Sequence, residues 1–323
     1  VGVAFCPRDG IQSVGLVTRA DTALYHAKNS GRNCYALFEH GMDEHIRLRQ
    51  ILELDLSAAL EGNQLELHYQ PRVNVRTGEF ASYEALVRWN HPERGQIPPS
   101  DFIPVAEGCG QIVAIGEWVL RTACRAAAED LGAACVSVNA SPLQFRDQNF
   151  VAAVRGALEE SGLDPSRLEI EITESVLIAD DQRALAVFRA LKAIGVKIAL
   201  DDFGTGYSSL GYLSRFPFDT IKIDRSFVRN LSKDPNSLSI VETIIRLGRS
   251  LHMTVVAEGV ETEVELIALA RTGCDEIQGF LVGAPQPVDI TLRTPPEEVQ
   301  EILLSERRLE DLRAVGKGRR MAG

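Results

Sequence analysis

Seven separated stretches of this sequence run from apolar residues into a carboxylate, an amide or a lysine. They deliver Glu84, Asn139, Glu171 with Glu174, Asp201 with Asp202, Lys222 with Asp224, Glu258 with Glu261, and Gln278. The adjacent pair in "KIALDDF" poses the physical problem most sharply. Two carboxylates at the end of a buried strand repel each other and resist desolvation. A multivalent hard cation relieves that repulsion, and oxygen ligands select ions of the Mg²⁺ and Mn²⁺ class. The six histidines include no HxxxH or HxxH pair and the six cysteines form no CxxC pair. Zinc held by nitrogen or sulfur is therefore excluded, and any metal must be held by oxygen.

Each residue also has an ordinary reading when taken alone. Asp202 can cap a turn or helix, Glu84 can sit on an exposed strand face, and Asn139-Ala140-Ser141 can form a loop turn. Glu171 and Glu174 suit a helix start, Glu258 and Glu261 suit a loop's acidic face, and Gln278 suits a structural amide. Lys222 is the exception, because it lies between Ile221 and Ile223 in a short strand and so calls for a specific partner. Recurrence of all seven at the ends of apolar runs favours one shared site.

The elements that must position these residues alternate. Eight β-rich runs ("LELHYQPRV", "FASYEALVRW", "ACVSVNAS", "LEIEITES", "KIALDDF", "TIKID", "TVVAEGV", "DEIQGF") are separated, in the later part, by helical stretches such as "DDQRALAVFRALKAIG". That order predicts an α/β fold with a mostly parallel sheet, and eight strands fit a (β/α)₈ barrel. Thr77-Gly78 reads as a hairpin turn, so the first strand is expected antiparallel to the second, a modification of the TIM barrel. A doubly wound open sheet is the competing architecture. In either parallel fold the strand C-termini meet on one face, which brings the seven polar ends together.

Flanking segments complete the organisation. Residues 1–39 read as strand, helix, strand, a short N-terminal α/β remnant with its helix capped at Thr18 or Asp21 and stopped at Gly31. The chain starts inside a strand, so a longer parent polypeptide is expected. Residues 40–62 read as a linker helix, with Ile46, Ile51, Leu52, Leu56 and Ala59 near helical spacing. Residues 63–290 form the barrel, and 291–323 a C-terminal helix with a basic tail.

Composition bounds the rest. Of 323 residues, 45% are apolar and 24% charged, with a net charge of −11, so general nucleic-acid binding is excluded. No secretory leader or bilayer-length apolar run is visible, and the thiols read as reduced, which predicts a cytoplasmic protein. The "DDFGTGYSSL" loop lacks the GxxxxGK[ST] pattern, so it is not a P-loop. Gly204 and Gly206 instead allow a gate or rigid turn beside the acids.

These residues resemble a known family. "YEALVRWNHPERGQIPPSDFIPVAE", "EITES", "DDFGTGYSSLGYLSRFPFDTIKIDRSFV", "AEGVET" and "GCDEIQGF" are similar, in order, to EAL-domain cyclic di-GMP phosphodiesterases over residues 45–287. "ADTALYHAKNSGRN" resembles the closing segment of a GGDEF domain, whose cyclase signature loop is absent here. The resemblance implies a modified TIM barrel that hydrolyses cyclic di-GMP to linear pGpG with two Mg²⁺ or Mn²⁺ ions, Ca²⁺ binding but inhibiting. It implies that Glu84, Asn139, Glu171 and Asp201 hold one ion, and that Asp201, Asp202 and Glu258 hold the other. Lys222 is then catalytic beside the attacking water, with Glu84 and Glu258. Glu174 anchors the loop, Gln70, Arg88 and Gln278 contact substrate, and Glu261 is a further site position. Phe and Pro residues of "PSDFIPVAE" become candidates for holding guanine. A homodimer through the barrel near "DFGTGYSSL", and upstream sensory or GGDEF domains able to tether the parent protein to a membrane, are expected partners. Arg72 in "YQPRV" departs from a commoner glutamine, and "NASPLQF" and "GFLVGAPQP" vary; these bear on substrate affinity rather than on catalysis. A non-catalytic cyclic di-GMP receptor is the alternative, and an enolase-type barrel a more distant one.

Overall fold

The computed structural model describes residues 1–29, 34–39, 41–179, 181–204, 210–231, 234–291 and 294–307. It divides into two compact units, Val1–Gln64 with His91–Gln111, and Leu65–Asn90 with the described residues from Ile112 onward.

In the first unit a two-residue parallel ladder joins Gly2–Val3 to Ala36–Leu37. The helix between them spans Ser13–Asn29, starting earlier than the Thr18 or Asp21 cap expected from sequence. Thr18 instead lies inside the helix and its hydroxyl donates back to the Val14 carbonyl at 3.0 Å, the usual way a mid-helix threonine is satisfied. The Gly31 stop lies outside the described residues. A second helix covers Met42–Glu61 and ends where the Gly62 N–H reaches the Ala58 carbonyl. Leu52, Leu56 and Ala59 are buried on one face, as their spacing requires, against the helix Pro99–Cys109. Phe102 of that helix is fully buried, so it is not available to stack on a base.

The second unit is a closed eight-stranded barrel. Its strands are β1 (Leu65–Asn74), β2 (Phe80–His91), β3 (Cys135–Asn139), β4 (Leu168–Thr173), β5 (Lys197–Phe203), β6 (Thr220–Ile223), β7 (Thr254–Ala257) and β8 (Glu276–Gln278). Strands β2 to β8 pair in parallel, in sequence order, and β1 closes the ring antiparallel to both β2 and β8. The antiparallel start follows from the tight connection. Asn74 Oδ1 accepts from the Arg76 and Thr77 amides, both at 3.0 Å, and Gly78 takes φ +71°, so the chain reverses within a few residues. A parallel neighbour needs a crossover of a dozen residues or more, and from β2 onward helices supply it.

Alternation sorts the strand faces. In β4, Leu168, Ile170 and Ile172 are buried on one face and Glu169 and Glu171 on the other. The carboxylates turn inward, since they meet Arg72 of β1 and Thr220 and Lys222 of β6. TIM barrels usually fill this lumen with branched apolar layers. Here Arg72, Glu84, Ser137, Glu169, Glu171, Thr220, Lys222 and Gln278 are all buried.

Outside the barrel, Phe188 sits at the middle of a ring cluster. Its centroid lies 5.4 Å from Phe145, 5.3 Å from Phe216 and 5.7 Å from Phe218. Phe188→Ala is expected to lower stability by about 3–5 kcal/mol, read by urea denaturation, because the cavity is walled by rigid rings.

At the strand N-termini, Asp219 Oδ2 accepts the Ile198 amide at 2.8 Å and Asp275 Oδ2 accepts the Val255 amide at 2.9 Å. Each carboxylate, one residue before its own strand, ties down the start of the preceding one. A helix over residues 297–307 is held by two bonds from Arg271 to Glu306, at 2.9 and 2.8 Å. The basic tail beyond it lies outside the described residues. Among the described residues, no helix is long and apolar enough to cross a membrane.

Candidate active site

Strand register brings the predicted residues to one rim. Glu84 of β2 lies opposite Gln70 of β1 and beside Ser137 of β3. Asn139 of β3 is level with Glu171 of β4, and Thr173 of β4 with Asp201 of β5. A bulge between Leu200 and Phe203 breaks the β5–β6 register at Asp201-Asp202, and Asp202 takes the left-handed φ of 54°. That conformation is uncommon for a residue other than glycine and marks a locally constrained backbone.

Lys222 is the hub of the cluster. Its Nζ lies 2.5 Å from Glu171 Oε2, 2.6 Å from Glu258 Oε1, 3.2 Å from Asp201 Oδ1 and 3.4 Å from Glu84 Oε2. The side chain is 1% exposed, so four carboxylates surround one desolvated ammonium. Amides hold Glu84 from both sides, Asn139 Nδ2 donating to Oε1 and Gln278 Nε2 to Oε2, each at 2.6 Å. Gln278 also donates to Gln70 Oε1 at 3.0 Å, and Gln70 Nε2 donates to the Gly283 carbonyl at 3.1 Å. Asp201, Asp202 and Glu258 each place one oxygen within 4.8 Å of the others.

Below this cluster lies a layer that sequence reasoning missed. Arg72, also 1% exposed, donates to Glu169 Oε1 at 2.8 Å, Ser137 Oγ at 2.5 Å and Gln278 Oε1 at 3.1 Å, and pairs closely with Glu171 Oε1. Thr220 Oγ1 donates to Glu169 Oε2 at 2.6 Å. Arg72, expected to bear on substrate affinity, is buried and faces the carboxylates from beneath. Glu169 was detectable, because the alternation of "LEIEIT" puts it on the face of Glu171.

The other predicted residues sit around the rim. Glu174 Oε1 accepts the Gly204 amide at 3.4 Å, at the start of the loop whose residues 205–209, Gly206 included, lie outside the described set. Glu261 pairs with Arg229 at 2.6 Å. Asp224 caps the turn Arg225–Val228 by accepting the Ser226 amide. Arg88 is half-buried on the Glu84 face of β2, donates to the Val87 carbonyl at 2.9 Å and does not line the cavity over the cluster. That open cavity, about 270 Å³, has Glu84, Asp201, Lys222 and Glu258 at its floor. Its wall adds the cations Arg225 and Arg229 and the apolar Leu86, Phe280 and Pro285. Phe280 is 67% exposed.

Charge is unevenly held. Burial works to raise the Glu84 carboxyl, but Lys222 and Arg72, with the two amide bonds, outweigh it and hold it at about 2. Burial, then repulsion from Glu84, pushes Glu171 up to about 8. Burial also raises Glu258 to about 7, with Asp201 and Glu84 adding to the effect. Asp202 is raised by burial and by Asp201 and Asp224. Burial disfavours the charged form of Lys222, yet its four carboxylates hold it well above its ordinary value, so it stays an ammonium.

This donor set fits a divalent cation. Glu84, Glu169, Glu171, Asp201, Asp202 and Glu258 carry six negative charges when ionised, against two positive ones on Arg72 and Lys222. The acids outnumber the buried cations, and every donor at the rim is a hard oxygen.

Known proteins carry the same arrangement of chain. MucR of Pseudomonas aeruginosa, a bifunctional diguanylate cyclase/cyclic di-GMP phosphodiesterase, is 47% identical over 293 residues, covering 90% of this chain and 43% of MucR. PdeR of Escherichia coli, a cyclic di-GMP phosphodiesterase, is 43% identical over 290 residues, covering 89% of this chain and 44% of PdeR. The chain therefore spans less than half the length of these curated relatives. The solved MucR phosphodiesterase in complex with cyclic di-GMP superposes with a TM-score of 0.72 at 47% identity, covering 75% of this chain and all of that one. Residues 53–285 match the EAL domain, and this chain belongs to the EAL-domain family.

Proposed function

We propose that this barrel is a phosphodiesterase that hydrolyses one phosphodiester of cyclic di-GMP to linear pGpG and depends on two Mg²⁺ or Mn²⁺ ions. The observation that carries the reading is the convergence of Glu84, Glu171, Asp201 and Glu258 on Lys222 at the floor of an open cavity. The phosphodiesterase activities of MucR and PdeR support it. Glu84, Asn139, Glu171 and Asp201 would hold one ion, and Asp201, Asp202 and Glu258 the other. Such ions supply Lewis acidity to the phosphate and make water more acidic.

The chain's own groups do the rest. Lys222 Nζ, at the floor of the cavity, is placed to donate to a water or a phosphoryl oxygen. Glu84 is fixed by two amides, so its carboxylate keeps one orientation. Arg225 and Arg229 on the wall attract a dianion that the carboxylate floor alone would repel. Gln70 and Gln278, bonded to each other, present amides at the same wall. Glu174 accepts the Gly204 amide just past the end of β5 and so is placed to anchor the chain there. Exposed Phe280, with Leu86 and Pro285, offers an apolar face to a base. Phe280→Ala is expected to raise KM roughly tenfold with little change in kcat, since stacking one base is worth about 1–3 kcal/mol.

We further infer that residues 1–39 are the closing segment of a GGDEF-like domain and that the helix Met42–Glu61 links it to a barrel over 63–290, followed by a C-terminal segment over 291–323. That MucR is a bifunctional diguanylate cyclase/phosphodiesterase supports such a parent protein. A homodimer through the barrel and a cytoplasmic location belong to the same reading.

The test is incubation with cyclic di-GMP in Mg²⁺, Mn²⁺, Ca²⁺ or chelator, with products separated by chromatography. Linear pGpG should form with Mg²⁺ or Mn²⁺ and not with chelator. Ca²⁺, which prefers longer bonds and more ligands, should suppress it. Intact substrate in every condition, with tight binding, would replace this reading by a receptor.

A further inference from the structure

Arg72 is the least expected group in the barrel. It lies in the antiparallel strand β1, between Pro71 and Val73, and its guanidinium is buried in the lumen. Burying an arginine is costly unless its donors are satisfied, and here four partners take them. Glu169 and Ser137 are structural partners below the rim. The other two belong to the cluster: Glu171 through Oε1 and Gln278 through Oε1.

Those two contacts fix atoms that face the opposite way. With Oε1 of Glu171 taken by Arg72, Oε2 is the oxygen turned to Lys222, at 2.5 Å. With Oε1 of Gln278 taken by Arg72 Nε, its Nε2 is aimed at Glu84 Oε2, at 2.6 Å. One guanidinium thus sets the orientation of a carboxylate directly and of another through an amide. Glu169 in turn holds the guanidinium, its second oxygen fixed by Thr220.

We infer that Arg72, held by Glu169, is a positioning residue that presents Glu171 and Glu84 to the divalent ions. This rests on the proposed two-ion site and deepens it. Arg72 is buried and does not line the cavity over the cluster. Partners one layer out from a metal's ligands typically change affinity by about 10–100-fold when removed. A planar fork is required to reach Glu169, Glu171 and Gln278 together, which an ammonium cannot do.

The test measures Mn²⁺ binding to chelator-treated protein by electron paramagnetic resonance for wild type, Arg72→Gln, Arg72→Lys and Glu169→Gln, with thermal melts to show folding. Arg72→Gln should weaken binding about 10–100-fold. Glu169→Gln, which alters one of the four Arg72 contacts, should lose least, and Arg72→Lys, which keeps the charge but not the fork, should fall between it and Arg72→Gln. The metal concentration for half-maximal hydrolysis should rise in parallel, while KM for cyclic di-GMP at saturating Mn²⁺ stays within about twofold; that split separates positioning from a merely structural role. Should Arg72→Gln fail to fold, the other two variants carry the test. Folded variants that bind Mn²⁺ as wild type does would overturn the role of Arg72 and leave the site intact. Wild-type protein that binds no Mn²⁺ would overturn the two-ion site and this inference with it.

Discussion

Lys222→Met should have two separable effects. In chelator the variant should melt on the order of 10 °C below wild type, because Glu84, Glu171, Asp201 and Glu258 lose their shared counter-charge. Removing one partner from a buried ion pair costs about 3–5 kcal/mol, and for a barrel of roughly 230 residues each kcal/mol moves Tm by about 2–4 °C. Saturating Mg²⁺ should restore most of the loss, since the ions supply the missing positive charge. Activity should not return with it. A fixed donor aimed at a phosphoryl oxygen or water contributes about 10²–10³ to kcat, and methionine replaces its length without its charge. Differential scanning fluorimetry with and without Mg²⁺, beside a steady-state assay, reads both. Equal melting of the two proteins in chelator would mean that Lys222 is not the hub of the charge balance.

Asp201→Asn should have the largest effect on activity. In the proposed two-ion site Asp201 would be common to both ligand groups; it lies near Lys222 on one side, with an oxygen within 4.8 Å of those of Asp202 and Glu258 on the other. Asparagine keeps the shape and loses the charge. Several kcal/mol of phosphate stabilisation depend on the ions, which corresponds to about 10³-fold or more in kcat/KM. Stability should not follow activity down. The cluster carries excess negative charge, so removing one unit should leave the melt in chelator unchanged or slightly higher. A variant with more than a tenth of wild-type kcat/KM would show that Asp201 is not shared between two ions.

The site's outline was legible because barrel strands announce themselves. In β3, β5, β6 and β7 an apolar run meets its polar residue near or just past the strand's C-terminal end, and a parallel closed sheet sends those ends to one rim. The antiparallel start was legible in Thr77-Gly78, since a tight turn leaves no room for a crossover. Glu169 was readable too, from the two-residue period of "LEIEIT". Arg72 was not. A single arginine flanked by Pro71 and Val73 gives the same string whether it faces solvent or a buried carboxylate, and its partners come from β3, β4 and β8. The left-handed backbone of Asp202 was hidden for a related reason, because it follows from the bulge against β6 rather than from local residue types. Local signals misled at Thr18, where a good capping residue lies within a longer helix.

The most direct test of the account is crystallographic. Crystals grown with Mn²⁺ and cyclic di-GMP should show two manganese peaks in an anomalous difference map, one held by Glu84, Asn139, Glu171 and Asp201, the other by Asp201, Asp202 and Glu258. Manganese bound only elsewhere, with Lys222 still paired to all four carboxylates beneath the nucleotide, would contradict it.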